Sequence, residues 1–502
     1  MNINQLTIEE KIGQMLCFAF RGTTYNSQLS TLIETYHIGN IIHFAHNITS
    51  LEQVKKLNDD IQQHAKDPVF ISLDQEGGMV RRITEGITYL PGAMSLSAAQ
   101  ADVYPITKQC AEDLKQLGFS INYAPVADIN SNPLNPVINS RSYGDTPHLV
   151  AKQVTSAVRA LQDATILPTV KHFPGHGDTN VDSHLGLPIV KKTKAELLLE
   201  ELVPYVEAIS QGLDGVMISH ILYEALDPKL PSSLSHEVIT KLLKEELGFK
   251  GLITTDSLTM AAIWGRYSIE DIVKQGILAG NDVLVFCGKA DLEEQKAIIE
   301  AFYKLVIHGE IPMSRLDESV QKIIALKNKY CHTPRKKSLN EGSLLAMSLV
   351  EQSITKVYDR GLLPLTPEDK VLMLFPKIQL ASLVDNEDQS YESFRKVLPY
   401  NEVIVEEGAD IENIVQIQAN YDKILIASYN VRSGDAMHQL YQKLDPTKVV
   451  LVALRSPYDA MVLKNSGAYV CTYDCTKESI KAVARKLQTN DFMGVLPIHL
   501  EV

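Results

Sequence analysis

The chain has 502 residues, 45% of them apolar and 22% charged, with a net charge of −13. This composition excludes a disordered chain, and the length exceeds one ordinary core, so two domains are expected. The acidic balance, with no long basic run, leaves no electrostatic footprint for nucleic acid or for an anionic membrane surface.

The chain opens MNINQLTIEEKIGQML, with no basic segment leading into a long apolar run. A secretory signal is therefore not expected, and the cytoplasm is the expected compartment. No apolar run approaches the roughly 18 residues of a membrane span. Strand-length apolar runs follow in order at Met15–Phe20, Gly39–Phe44, Val69–Leu73, Ser120–Ala124, Leu167–Lys171, Gly215–Ser219, Leu252–Thr255 and Asp282–Phe286. Helix-like stretches separate them at Leu51–His64, His148–Gln162, Lys194–Gln211 and His236–Glu245. Strands alternating with helices indicate a parallel sheet, and eight of them indicate an α/β fold of the (β/α)8 TIM-barrel type over residues 1–330.

A last barrel-side helix is expected at Ser314–Lys329, and the polar, basic stretch after it reads as a linker over 331–340. A helix at about Glu341–Tyr358 then opens a second unit, with strands at Val371–Phe375, Glu402–Glu406, Lys423–Ser428, Val449–Leu454 and Ala468–Thr472. This predicts a smaller αβα sandwich with a mostly parallel sheet over 341–502. The scattered cysteines Cys17, Cys110, Cys287, Cys331, Cys471 and Cys475 read as buried free thiols.

Barrels of this type place their chemistry where strands end and βα loops begin. Asp74 follows the third run, Lys171 and His172 close the fifth, His220 follows the sixth and Asp256 closes the seventh. One strand-end carboxylate is an ordinary loop cap; several ionisable groups at one rim indicate a site. The loop Pro174–Leu187 holds Pro174, Gly175, Gly177 and Gly186 beside two histidines and two aspartates, and reads as shaped for a purpose or for motion, with a hinge at Pro174–Gly177. Two chemistries fit it. One is a metal site built from His172, His176, Asp178, Asp182 and His184, although Phe-Pro-Gly between the first two histidines disfavours a shared helical face. The other is acid/base work by Asp182 and His184, since an i, i+2 pair in extended chain points the same way and a carboxylate orients an imidazole. The second is preferred, with no metal and no cofactor.

Four motifs resemble glycoside hydrolase family three, in its β-N-acetylglucosaminidase branch. They are Asp74-Gln75-Glu76-Gly77-Gly78 with Arg81-Arg82, Asn122 to Asp128, Lys171 to His184, and Gly251 to Ser257; a looser fifth runs from Val137 to Gly144. The resemblance implies Asp256 as nucleophile, His184 assisted by Asp182 as general acid/base, and Asp74, Arg82, Arg141, Lys171, His172 and His220 as sugar-binding residues. It implies a retaining exo-enzyme that releases terminal N-acetylglucosamine, acting on muropeptide fragments or, alternatively, on chito-oligosaccharides or with transfer to phosphate. A metal-dependent hydrolase and an inactive sugar-binding protein are the readings from other classes. Met79 stands where arginine is common, and Asn139-Ser140 where Gly-Asp is common. In this branch the acid/base lies on a barrel loop, which leaves the second domain a supporting role. The expected partner is a small carbohydrate or muropeptide, with no nucleic acid and no membrane.

Overall fold

The protein is described by a computed structural model covering residues 3–288, 291–332, 338–378 and 393–501. All eight expected barrel strands form: Leu16–Phe18, Asn40–Ile42, Phe70–Leu73, Ile121–Asn122, Leu167–Pro168 with Val170–Phe173, Gly215–Ile218, Leu252–Thr255 and Leu284–Phe286. Every pairing among them is parallel, and a bridge between Thr254 and Val283 joins the seventh strand to the eighth, closing the barrel.

The helices between them follow from their sequence. Leu51–His64 starts at Ser50, whose hydroxyl accepts from Gln53 N at 3.1 Å, and buries Val54, Leu57 and Ile61 against the barrel core. That spacing is one helical face, and each side chain contributes about 2 kcal/mol of burial. The helix expected at Lys194–Gln211 is instead two, Lys194–Leu199 and Val203–Ser210. Pro204 has no N–H to continue the first helix but suits the opening turn of the second.

The second domain is a six-stranded sheet in the order Thr355–Asp359, Ala468–Cys471, Val449–Ala453, Lys423–Ser428, Val371–Pro376, Asn401–Val405. All pairs are parallel except the first, which is antiparallel. Alternate residues of one strand enter opposite cores. Leu372 and Leu374 pack on one face, Met373 and Phe375 on the other, so both faces are covered. The helix expected over 341–358 spans only Ser343–Ser353, and the edge strand Thr355–Asp359 follows it. Thr355 and Val357 are β-branched and favour the extended edge. Of the expected linker, residues 333–337 lie outside the described residues. The six cysteines are free thiols, and no described helix is long and apolar enough to cross a membrane.

Candidate active site

The fifth barrel strand departs from regular pairing at the site. Val170 pairs with Val216 and Phe173 with Ile218, so three steps on one strand face two on the other. The extra residue is a bulge, and it breaks the alternation that would send Lys171 and His172 to opposite sides. Both line the same cavity, which is about 530 Å³, a volume ordinary for a small-molecule site. Asp74, Arg82, Arg141, His184 and Asp256 line it too.

Lys171 is the centre of an ion network. Its ammonium lies 2.8 Å from Asp74 and 2.6 Å from Glu76. Arg82 donates to the other Asp74 oxygen at 3.1 Å, and Arg141 holds Glu76 through two bonds of 2.8 Å. Burial would raise the Asp74 and Glu76 pKa values, but the facing cations hold both carboxyls below their ordinary range. The same carboxylates outweigh the desolvation of Lys171 and hold its pKa up. Charges this deep persist because each is paired; removing one partner would strand the other.

His172 is fixed from behind. Its Nδ1 lies 2.6 Å from Asp128, whose other oxygen accepts from the backbone N–H groups of His172 at 3.2 Å and His176 at 2.7 Å. Burial opposes ionisation of Asp128, but the imidazole beside it holds the pKa low. Nε2 is then the nitrogen available to a ligand.

The loop after this strand divides in two. Its stem, Pro174 to Gly177, is buried and pinned. Asn135 Nδ2 donates to the carbonyls of His176 at 2.8 Å and Gly177 at 3.0 Å, and the Tyr223 hydroxyl donates to that of Gly175. His176, held near pKa 4 chiefly by burial, bridges Thr179 and Ser183 through its two nitrogens. A hinge at Pro174–Gly177, as the glycines suggest, would have to break these bonds; the exposed stretch is the tip, where Val181 is 45% and Leu185 75% exposed. Gly177 is required by space. A Cβ there would fall 1.6 Å from the Ile129 carbonyl oxygen. Gly177→Ala is expected to destabilise the barrel by about 2 kcal/mol or more through forced backbone movement. Calorimetry would show this as a lowered barrel transition; an unchanged transition would mean that the stem has room.

At the tip, Asp182 accepts from His184 twice, from the backbone N–H at 2.9 Å and from Nδ1 at 2.8 Å. Burial opposes ionisation of Asp182, but these bonds bring its pKa down. His184 Nδ1 is therefore the donor to Asp182, and Nε2 is the nitrogen left for the cavity. Asp182 is buried behind its histidine and does not line the cavity.

Asp256 follows the seventh strand and accepts from Ser257 N at 2.7 Å. Burial would raise its pKa, but His172, His220, His184 and the Ser257 N–H together lower it to about 2. His220 differs from expectation. It is wholly buried and does not line the cavity. Its Nε2 donates to the Ser257 carbonyl at 2.8 Å and its Nδ1 meets the Ser233 hydroxyl at 2.8 Å. Both nitrogens are occupied, which leaves none for a sugar. Desolvation lowers its pKa, and its bond to the Ser257 carbonyl supports the Asp256 turn.

The five residues weighed as metal ligands do not converge. His172 is committed to Asp128, His176 to two hydroxyls, His184 to Asp182, and Asp178 lies 3.6 Å from Lys192. Among the described residues, no group of three or more His, Cys, Asp or Glu side chains is placed to hold a metal. Sequence reasoning assigned no role to Glu76, Asp128 or Asn135. The first two lie inside the recognised motifs and could have been singled out as rim carboxylates. Asn135, in Asn132-Pro133-Leu134-Asn135-Pro136, carries only a turn signal.

A parallel barrel that gathers an ionised carboxylate, an aspartate-braced histidine and a cationic clamp around one cavity is the build of a glycoside hydrolase. The comparisons agree. The chain belongs to glycosyl hydrolase family 3, whose "Glycosyl hydrolase family 3 N terminal domain" profile matches residues 7–326. It is 32% identical over 437 residues to the protein named Beta-hexosaminidase A of Pseudoalteromonas piscicida, spanning 77% of this chain and 73% of that one. A glycoside hydrolase family 3 β-N-acetylglucosaminidase from Paenibacillus sp. superposes with a TM-score of 0.91 at 34% identity, covering 99% of both chains. A shorter family member from Mycobacterium smegmatis, 29% identical with a TM-score of 0.59, matches 98% of its own length to 65% of this chain. The resemblance read from the motifs, to the β-N-acetylglucosaminidase branch of the family, is thereby borne out.

Proposed function

We propose that the protein is a retaining exo-β-N-acetylglucosaminidase that removes terminal N-acetylglucosamine from muropeptide fragments in the cytoplasm. The observation that supports this best is the pairing of Asp256 with the Asp182–His184 dyad, on separate loops that share one cavity. The catalytic unit is the barrel, taken as residues 1–330, joined through 331–340 to the sandwich domain at 341–502.

In this reading Asp74, Arg82, Lys171 and His172 hold the sugar, with Arg141 setting the clamp through Glu76. The Asp256 carboxylate attacks the anomeric carbon as the bond to the leaving oxygen breaks, and the Nε2 proton of the His184 imidazolium passes to that oxygen. Asp182 stabilises the imidazolium. Water then attacks the glycosyl-aspartate, Nε2 takes the water proton, and the Asp256 carboxylate is released. One carboxyl group of the usual glycosidase pair is thus replaced by a histidine.

The test compares an aryl β-N-acetylglucosaminide with the matching β-glucoside, each with and without chelator. The N-acetylglucosaminide is expected to be cleaved faster, and chelator to change neither rate. A faster glucoside would overturn the sugar assignment, and loss of activity with chelator would favour metal-dependent hydrolysis.

A further inference from the structure

No described residue beyond Gly288 lines the cavity, so among the described residues the second domain places no side chain in it. It nevertheless grips both loops that form the ion network. The first loop follows the third strand and carries Asp74, Glu76 and Arg82. There Cys475 Sγ meets Met79 Sδ at 3.6 Å, the Tyr89 hydroxyl meets Thr476 Oγ1 at 3.2 Å, and Lys477 pairs with Glu85 at 2.9 Å. The second loop follows the fourth strand and carries Asp128, Asn135 and Arg141. There Asn130 Nδ2 donates to the Tyr458 hydroxyl at 3.1 Å, and Asn139 Nδ2 donates to Ser456 Oγ at 3.0 Å.

The Asn139 contact falls where the backbone needs it. Asn139 opens the single 3-10 turn Asn139–Arg141 with φ of +45°, a conformation that costs most side chains about 1–2 kcal/mol. Asparagine tolerates it, and the buried bond to Ser456 fixes the side chain that accompanies it. Two residues later Arg141 delivers its guanidinium edge to Glu76, which touches Lys171. A bidentate pair of this kind is sensitive to small rotations, because both bonds depend on one plane.

We infer that the second domain is a positioning element of the sugar-binding network, with Ser456 and Tyr458 acting through Asn139 and Asn130 to set Arg141 against Glu76. This rests on the reading that the Lys171 network holds the sugar. Neither second-domain residue touches the cavity, so the effect falls on binding rather than on the chemical step.

The experiment uses the full chain and the aryl glycoside that the wild type cleaves fastest. A wrong sugar assignment then shows in the wild-type panel, and a wrong positioning role only in the variants. Ser456→Ala, which removes the acceptor of both Asn139 Nδ2 and the Tyr458 N–H, is expected to raise KM about three- to tenfold, with kcat and pH profile unchanged and the thermal midpoint lowered by at most a few degrees. Tyr458→Phe, a gentler change, should shift KM in the same direction. Adding Asn139→Gly to Ser456→Ala should return KM to near wild type, because glycine takes positive φ without an anchored side chain. Wild-type KM in both single variants would overturn the inference. So would a loss of kcat that follows a fall in thermal midpoint without recovery by Asn139→Gly, since that pattern is structural only.

Discussion

Asp256→Asn is expected to lower turnover about 10⁴-fold, a loss of about 5.5 kcal/mol of transition-state stabilisation, while the thermal midpoint and sugar binding persist. The amide keeps an oxygen for the Ser257 N–H and nearly the same volume, so folding has little reason to suffer. What it loses is the negative charge facing His172, His184 and His220. With its pKa near 2, Asp256 is ionised throughout the ordinary working range. The sign is that of a nucleophile ready above about pH 2, so Asp256 should not produce a fall in kcat/KM between neutrality and pH 4. Mass analysis of enzyme trapped with a slow substrate should find the sugar on the peptide containing Asp256. A label elsewhere, or a variant retaining a tenth of wild-type rate, would remove Asp256 from the nucleophile's role.

His184→Ala is expected to cost on the order of 10²- to 10⁴-fold with a sugar or alkyl leaving group, the usual range for a lost acid/base group. With a good aryl leaving group the first step should lose about tenfold or less, because that oxygen departs without a proton. Asp182→Asn should show the same pattern in milder form, its amide holding the ring without the negative charge that stabilises the imidazolium. Equal losses for good and poor leaving groups would show that His184 is not the acid.

Most of the barrel was legible because its strands are short apolar runs between amphipathic helices, and that alternation survives without any knowledge of contacts. Where boundaries failed, a local reason is visible. Pro204 splits one helix, and the β-branched residues after Ser353 turn a helix end into an edge strand. The site was legible as a collection of strand-end charges and as a motif, but not as a network. Glu76, Asp128 and Asn135 act through partners 65, 44 and 41 positions away, and no local pattern encodes such pairings. His220 shows the converse. The family resemblance implied a hand on the sugar, whereas burial and two occupied nitrogens give it a supporting place. Met79 and Asn139, which read as irregularities, each meet the second domain, and nothing local to them could reveal that.

The extra residue in the fifth barrel strand makes strand length itself a heritable requirement. Substitution can exchange one side chain at a time and leave the rest of the cavity intact. Loss of a single codon between Val170 and Phe173 would instead restore strict alternation and delete either the ammonium or the imidazole outright. No single replacement elsewhere could return both. In a barrel assembled from exchanged fragments, this strand and its loop would therefore have to move as one uncut piece.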